Sequence, residues 1–197
     1  MSALCLERQG AVQPDPGPCP VIATARLSLR PHRMSDADAI TQSLADFRVS
    51  RMLARVPMPF DRQDAEEWLS TITSGLVPGW ALAITTGDDV HIGAVAFEWR
   101  RDAEWHFGYW LNRFYWGRGY MSEAARGAIA RFLTRMPGVT IHSGIFADNP
   151  ASLRVQEKIG FRVVGLSEIY SAARNALVPH VETRLAPGDF RPETLCR

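Results

Sequence analysis

Gly117 and Gly119 stand one residue apart with Arg118 between them, and a helical period begins at once. Met121, Ala125, Ala128, Ile129, Phe132 and Leu133 recur at helical spacing until Pro137-Gly138 stops the run. Glycine is conformationally costly at such a place, so a bare backbone must serve something. The first amides of a helix have no partner, and its dipole puts about half a positive charge there. With side chains stripped from the preceding loop, a diphosphate can dock on those amides. The plain alternative is a tight turn. A dinucleotide fingerprint needs a third glycine where Ser122 stands, and a P-loop needs Gly-Lys-Ser or Gly-Lys-Thr, which is absent.

The segments on either side narrow the fold. Ala25-Arg-Leu-Ser-Leu-Arg-Pro31 alternates, with Leu27 and Leu29 on one face, and predicts a strand. Ser35-Asp-Ala-Asp38 has a capping-box shape ahead of a helix through Ile40 and Leu44, and Asp61-Arg-Gln-Asp64 opens a second with Trp68, Leu69 and Ile72. Three strands follow, Trp80–Thr85, His91–Trp99 and Glu104–Leu111, separated by the turn pairs Gly87-Asp88 and Arg101-Asp102. After the glycine-led helix come a strand over Val139–Phe146 and a helix capped by Asn149 with Pro150 at N1 and Gly160 past its end. Phe161–Leu166 and Val178–Leu185 close the chain as strands. The order β-α-α-β-β-β-α-β-α-β-β predicts an α/β domain with a largely antiparallel front half.

Proline at every second position from Pro14 to Pro20 forbids helix and sheet, so residues 1–20 read as a disordered or extended leader, 21–190 as one domain and 191–197 as a tail. A net charge of +1 gives no field for nucleic acid, and no apolar run reaches a membrane span. Glu7 and Arg8 interrupt any signal peptide. Cys5, Cys19 and Cys196 show neither disulfide nor zinc spacing, which points to a reducing, cytoplasmic setting.

Several segments, in this order, resemble the GNAT superfamily of N-acetyltransferases, in particular its Rim-type branch of ribosomal-protein N-terminal acetyltransferases. They are ARLSLRP, VPMPF at 56–60, IGAVAF at 92–97, HFGYWL at 106–111, WGRGYMSEA at 116–124 and NPASLRVQEKIGF at 149–161. The resemblance runs from about Ala23 to Phe190. It implies the acyl-CoA N-acyltransferase fold, a mixed and mostly antiparallel central sheet with helices on both faces. It implies acetyl-CoA as cofactor, with its pantetheine arm along Tyr109, Trp110 and Leu111. The pyrophosphate would sit in the loop of Trp116, Gly117, Arg118, Gly119, Tyr120, Met121 and Ser122. Asn149 and Ser152 would stand beside the pantetheine, and Arg154 faces the CoA side in some relatives. Three positions depart from the pattern. Trp116 replaces a Gln or Arg, Met121 replaces a small residue and would narrow the loop, and His106 replaces a Glu.

Acetyl transfer needs a neutral amine, a polarised thioester carbonyl, donors for the oxyanion and help for the leaving thiolate. An α-amine titrates near 8, so positioning supplies much of the rate and a strong base is optional. His106 ranks first as base, Glu104 second and Glu98 third. His106 and Glu104 share a strand face under strict alternation, and histidine titrates near neutrality. The plain alternatives are a hydrogen-bonded strand histidine and a solvated edge carboxylate. Many relatives give the thiolate its proton from a tyrosine, where this chain has Gln156; the Rim-type branch implies Ser152 instead. Ser152 could equally satisfy only a local backbone group. The expected activity is acetyl-CoA-dependent transfer to a primary amine, on a protein N-terminus or a small metabolite, by a monomer or homodimer. A catalytically silent acyl-CoA-binding sensor is the rival.

Overall fold

The computed structural model of the chain describes residues 14–100 and 102–192. A turn over Gly87-Asp88 and another at Asp102 fold the front half back and forth; Arg101 lies outside the described residues. β1 (Ile22–Ala23), β2 (Ser28–Pro31), β3 (Gly79–Thr85), β4 (His91–Trp99) and β5 (Trp105–Leu111) pair antiparallel in succession. α1 (Ala37–Leu44), α2 (Phe47–Ser50) and α3 (Arg62–Thr73) lie between β2 and β3. α4 (Tyr120–Arg135) then carries the chain over to β6 (Ile141–Phe146), which joins β5 in parallel. α5 (Pro150–Ile159), β7 (Arg162–Ser171) and β8 (Ala176–Leu185) complete an eight-stranded sheet of order β1-β2-β3-β4-β5-β6-β8-β7. The sheet is mixed and mostly antiparallel, with helices on both faces. Among the described residues, no helix is long and apolar enough to cross a membrane.

Alternation sorts each strand between two cores. Trp80, Phe97, Trp105 and Phe107 point to α4, where Phe132 stacks on Phe97 with ring centroids 4.1 Å apart. On the other face Ile40, Leu44 and Leu69 of α1 and α3 form a second core, against which Trp110 packs.

The ends of elements differ from the sequence reading in instructive ways. A 3₁₀ turn over Met34–Asp36 precedes α1, and the box closes on Asp36, whose carboxylate accepts from the Arg33 amide at 2.9 Å. Ser35 is therefore not the start signal. α2 is an extra turn capped by Asp46, which accepts from the Arg48 amide at 3.0 Å. β7 runs past Leu166 to Ser171 because β8 pairs with it along its length. Residues 1–13 and 193–197 lie outside the described residues. Pro14–Pro20 has no helix or strand, as alternating proline demands. It is nonetheless part of the folded body. The Trp80 indole donates to the Gly17 carbonyl at 2.9 Å, and the Cys19 thiol donates to the Ala81 carbonyl at 3.4 Å. Burial pushes that thiol up to about 11, so it is no nucleophile.

Under α1 and α3, buried Arg30 grips buried Asp36 through both carboxylate oxygens, at 2.9 and 2.8 Å. His32 and His91 are buried beside this pair, ring centroids 5.5 Å apart. His32 Nδ1 stands 3.6 Å from Asp36 Oδ2, too far for a good hydrogen bond. Burial first, then the neighbouring His32, pushes His91 down to about 4 from an ordinary 6.5. Between those values the unfolded chain takes up a proton that the folded chain refuses. The stability from a neutral His91 is thus fully present above pH 6.5 and falls as pH drops toward about 4. Urea unfolding should show the parent losing about 2 kcal/mol more than His91→Phe between pH 7 and pH 4.5. Equal losses would remove His91 as the cause.

Candidate active site

β5 and β6 pair only at Trp105↔Ile141 and His106↔His142, and then part. The gap that opens beyond His106 is bounded by Phe107 to Leu111 on one side and by β6 and the start of α5 on the other. Ser143 ties its mouth, donating to the Phe107 carbonyl at 2.7 Å. Within the gap-lining strand Gly108 is exposed, and a side chain there would meet nothing within 4 Å. The strand therefore leaves room on the face shared with His106 and Trp110.

At one end of the gap lies the glycine loop. Gly117 and Gly119 both sit at positive φ, 73° and 77°, where a side chain is disfavoured. Gly119 is the N-cap of α4, and the first backbone bond into the helix is from the Glu123 amide to the Gly119 carbonyl at 3.1 Å. The amides before Glu123 are thus outside the helix ladder and free to face an anion. The Met121 side chain is buried in the core, so the expected narrowing of the loop does not occur, and only its backbone faces the site. The Trp116 indole donates to the Leu111 carbonyl at 2.7 Å and braces the loop against β5. The Tyr120 ring carries the Arg26 guanidinium 4.5 Å above its centroid.

Arg26 was not foreseen here. Its guanidinium donates to Glu123 at 2.7 Å and to the Arg118 carbonyl at 3.0 Å. Thr24 and the Arg26 amide also donate to that carboxylate, at 2.7 and 2.8 Å. Burial alone would raise Glu123, but these bonds overcome it and hold it below its usual range. The sequence separates Arg26 from Glu123 by 97 positions, and no local pattern joins them.

The α5 end of the gap is built around Ser152. Asn149 caps α5 as expected, accepting from the Ser152 amide at 3.1 Å. The Ser152 hydroxyl lies 2.6 Å from the Tyr109 hydroxyl, which is also 3.1 Å from the Ser152 carbonyl. Tyr109 had been expected to act only through its backbone. Burial pushes its phenol up to about 12, against the hydrogen bonds of Ser152 and Gln156. Gln156 is wholly buried, donating to Ser143 at 2.9 Å and accepting from Thr183 at 2.6 Å.

His106 stands on the opposite face of the strand. Its Nε2 is 3.1 Å from Asp102 and 3.9 Å from Glu104, while His142 Nδ1 is 3.3 Å from the same Glu104. Burial, then the charge of Arg100, lowers His106 below its ordinary value, although Asp102 pulls the other way. Glu98 lies directly across from His106 in the β4–β5 register, but Arg55 grips both of its oxygens at 2.6 and 2.8 Å. The first two candidates for base are therefore together, and the third is engaged. Trp110 packs against the α1–α3 core, and its backbone lies opposite Ala94 in the β4 ladder rather than toward the gap.

The chain's sequence matches the family described as "Acetyltransferase (GNAT) domain" over residues 26–162. It is 27% identical over 161 residues, 79% of this chain and 89% of the relative, to "Uncharacterized N-acetyltransferase p20" of Bacillus licheniformis. Solved structures share the fold. A GNAT-family acetyltransferase from Bacillus anthracis has a TM-score of 0.74 at 21% identity, covering 85% of this chain and 99% of its own. Mycobacterium smegmatis RimJ, solved with CoA-disulfide, has a TM-score of 0.71 at 22% identity, with 87% of each chain covered. The ribosomal-protein-S5-alanine acetyltransferase of Vibrio fischeri has 0.70 at 19%, covering 87% and 99%. A parted strand pair, a bare glycine loop at a helix start and a family match over most of the folded chain agree, and the chain belongs to the GNAT acetyltransferase family.

Proposed function

We infer that the protein transfers an acetyl group from acetyl-CoA to a primary amine, with a protein N-terminal amine as the favoured acceptor. The observation that carries this reading is the gap between β5 and β6, with donors at both ends and a histidine across from the Tyr109–Ser152 pair. The residues present fit the cofactor. Unladdered amides at positive-φ glycines, with Arg26 and Arg118 beside them, suit a pyrophosphate, and the edge of β5 at Tyr109, which no strand covers and whose far end at Leu111 is held by Trp116, suits an amide-bearing arm. When bound, the cofactor supplies an acetyl group activated as a thioester.

The chain's own residues then divide the work. His106, on the face left open by Gly108, takes the proton of the incoming amine, with Asp102 and Glu104 orienting its ring. Ser152, on the other face, serves the leaving sulfur. The preference for an N-terminal amine rests on Rim-type neighbours of the fold and on the open floor at Gly108. A cytoplasmic setting accompanies this reading.

The test is thiol release from acetyl-CoA with a panel of N-terminal peptides, amino acids and polyamines. Release with peptides above all is the expected result; binding without release on any amine would make the protein a silent sensor. In the same assay the parent should lose kcat/KM on the acid side of pH 6.5, the ordinary histidine value from which His106 is lowered. His106→Gln should run about 10²-fold slower and without that limb. An unchanged limb would remove His106 as base.

A further inference from the structure

We propose that Tyr109 is a positioning residue for the leaving group: its hydroxyl donates to Ser152 Oγ, so that the Ser152 hydrogen is left to point into the gap. This rests on the reading of Ser152 above and adds a residue whose side chain that reading does not use.

The two contacts of the phenol differ in length, and the shorter one points to the direction proposed. The Tyr109 hydroxyl has one hydrogen and two oxygens near it, Ser152 Oγ at 2.6 Å and the Ser152 carbonyl at 3.1 Å. Ser152 is the third residue of α5, and its carbonyl already serves the helix ladder toward Gln156. The hydroxyl oxygen is the nearer of the two and is assigned the phenol's hydrogen. Behind the phenol, the polar chain runs the same way. Ser143 spends its hydrogen on the Phe107 carbonyl, which can only accept. Gln156 must therefore turn its amide nitrogen to Ser143 and its oxygen to Thr183. Gln156, buried near the phenol, pulls its titration down against burial. The Ser143 and Thr183 hydroxyls are each held in one donating sense, and Ser152 stands at the α5 end of the gap.

The chemistry balances without a proton leaving Tyr109. The C–S bond breaks with its electron pair going to sulfur. Ser152 hydrogen-bonds that pair, Tyr109 holds Ser152 in the donating rotamer, and sulfur gains its proton afterwards from water. A phenol near 12 does not surrender its proton to a thiolate whose acid form titrates near 8.5. The pair thus stabilises charge rather than relaying a proton.

The test reads a thiolate without turnover. Calorimetry would give the affinity for CoA and for desulfo-CoA at pH 7 and pH 9.5. A bound thiol lowered by about one unit makes the preference for CoA grow about sevenfold across that range. The parent and Ser152→Thr should show this gain. Tyr109→Phe, Ser152→Ala and the double variant should each fall to twofold or less, with desulfo-CoA affinity unchanged as proof of an intact pocket. A flat preference in the parent, a full gain in Tyr109→Phe, or failure of both ligands to bind the parent would overturn the proposal. An inactive amine panel with the thiolate preference intact would sink the acetyl-transfer reading alone.

Discussion

Arg30→Met should cost about 3–5 kcal/mol of stability at neutral pH, because it strands a buried carboxylate. Asp36 is 5% exposed and Arg30 6%. Burial alone would raise the Asp36 pKa. The Arg30 guanidinium first, and then the Arg33 amide, reverse that and hold it far below the carboxylate range. Without Arg30 the group must either keep an uncompensated charge inside the fold or take up a proton. Asp89, the other partner of Arg30 at 2.7 Å, is half exposed and rehydrates cheaply. The double variant Arg30→Met/Asp36→Leu should lose less than Arg30→Met, since removing both charges also removes their desolvation cost. Urea unfolding at pH 7 checks both. A loss below 1 kcal/mol for Arg30→Met, or a double variant worse than the single, would show that the ion pair does not hold α1 to the sheet.

Gly119→Ala should weaken acetyl-CoA binding by about 10- to 100-fold while changing kcat less than threefold. A side chain at φ 77° costs about 1–2 kcal/mol, and a Cβ would lie 3.5 Å from the Arg26 guanidinium. The backbone relieves that strain by rotating, which turns the amides of the loop away from the phosphates. Losing one charge-assisted bond of this kind costs about 1.5–3 kcal/mol, hence the range. Gly138→Ala is the control, since it carries the same strain at φ 83° beyond the far end of α4. It should lower the melting temperature similarly and leave affinity alone. Calorimetric affinity for acetyl-CoA within twofold of the parent in Gly119→Ala would mean that these amides do not hold the cofactor.

What the sequence showed and what it hid follow from the range of the interactions. Caps and turns act over three or four residues, so Asp61, Asn149 and Gly160 mark their helix ends directly. Alternation placed His106 and Glu104 together and opposite Tyr109 for the same reason. The hidden features are contacts between distant segments. Nothing near Tyr109 signals that its hydroxyl meets Ser152 43 positions away, and nothing near Glu104 signals His142. Met121 misled because a residue type does not reveal which side of a first helical turn it takes; the core claimed it. Asp36 misled because its carboxylate caps the 3₁₀ turn and binds Arg30 at once, a double duty that the pattern Ser35 to Asp38 obscures.

The proline-spaced stretch laid beneath β3 bears on how this protein can be shortened. A recombinant form begun at Val21, where the prolines run out, would strip the Trp80 indole of the acceptor that Gly17 gives it, although that ring is only 2% exposed. Tags, cleavage sites and fusion partners therefore belong upstream of Pro14.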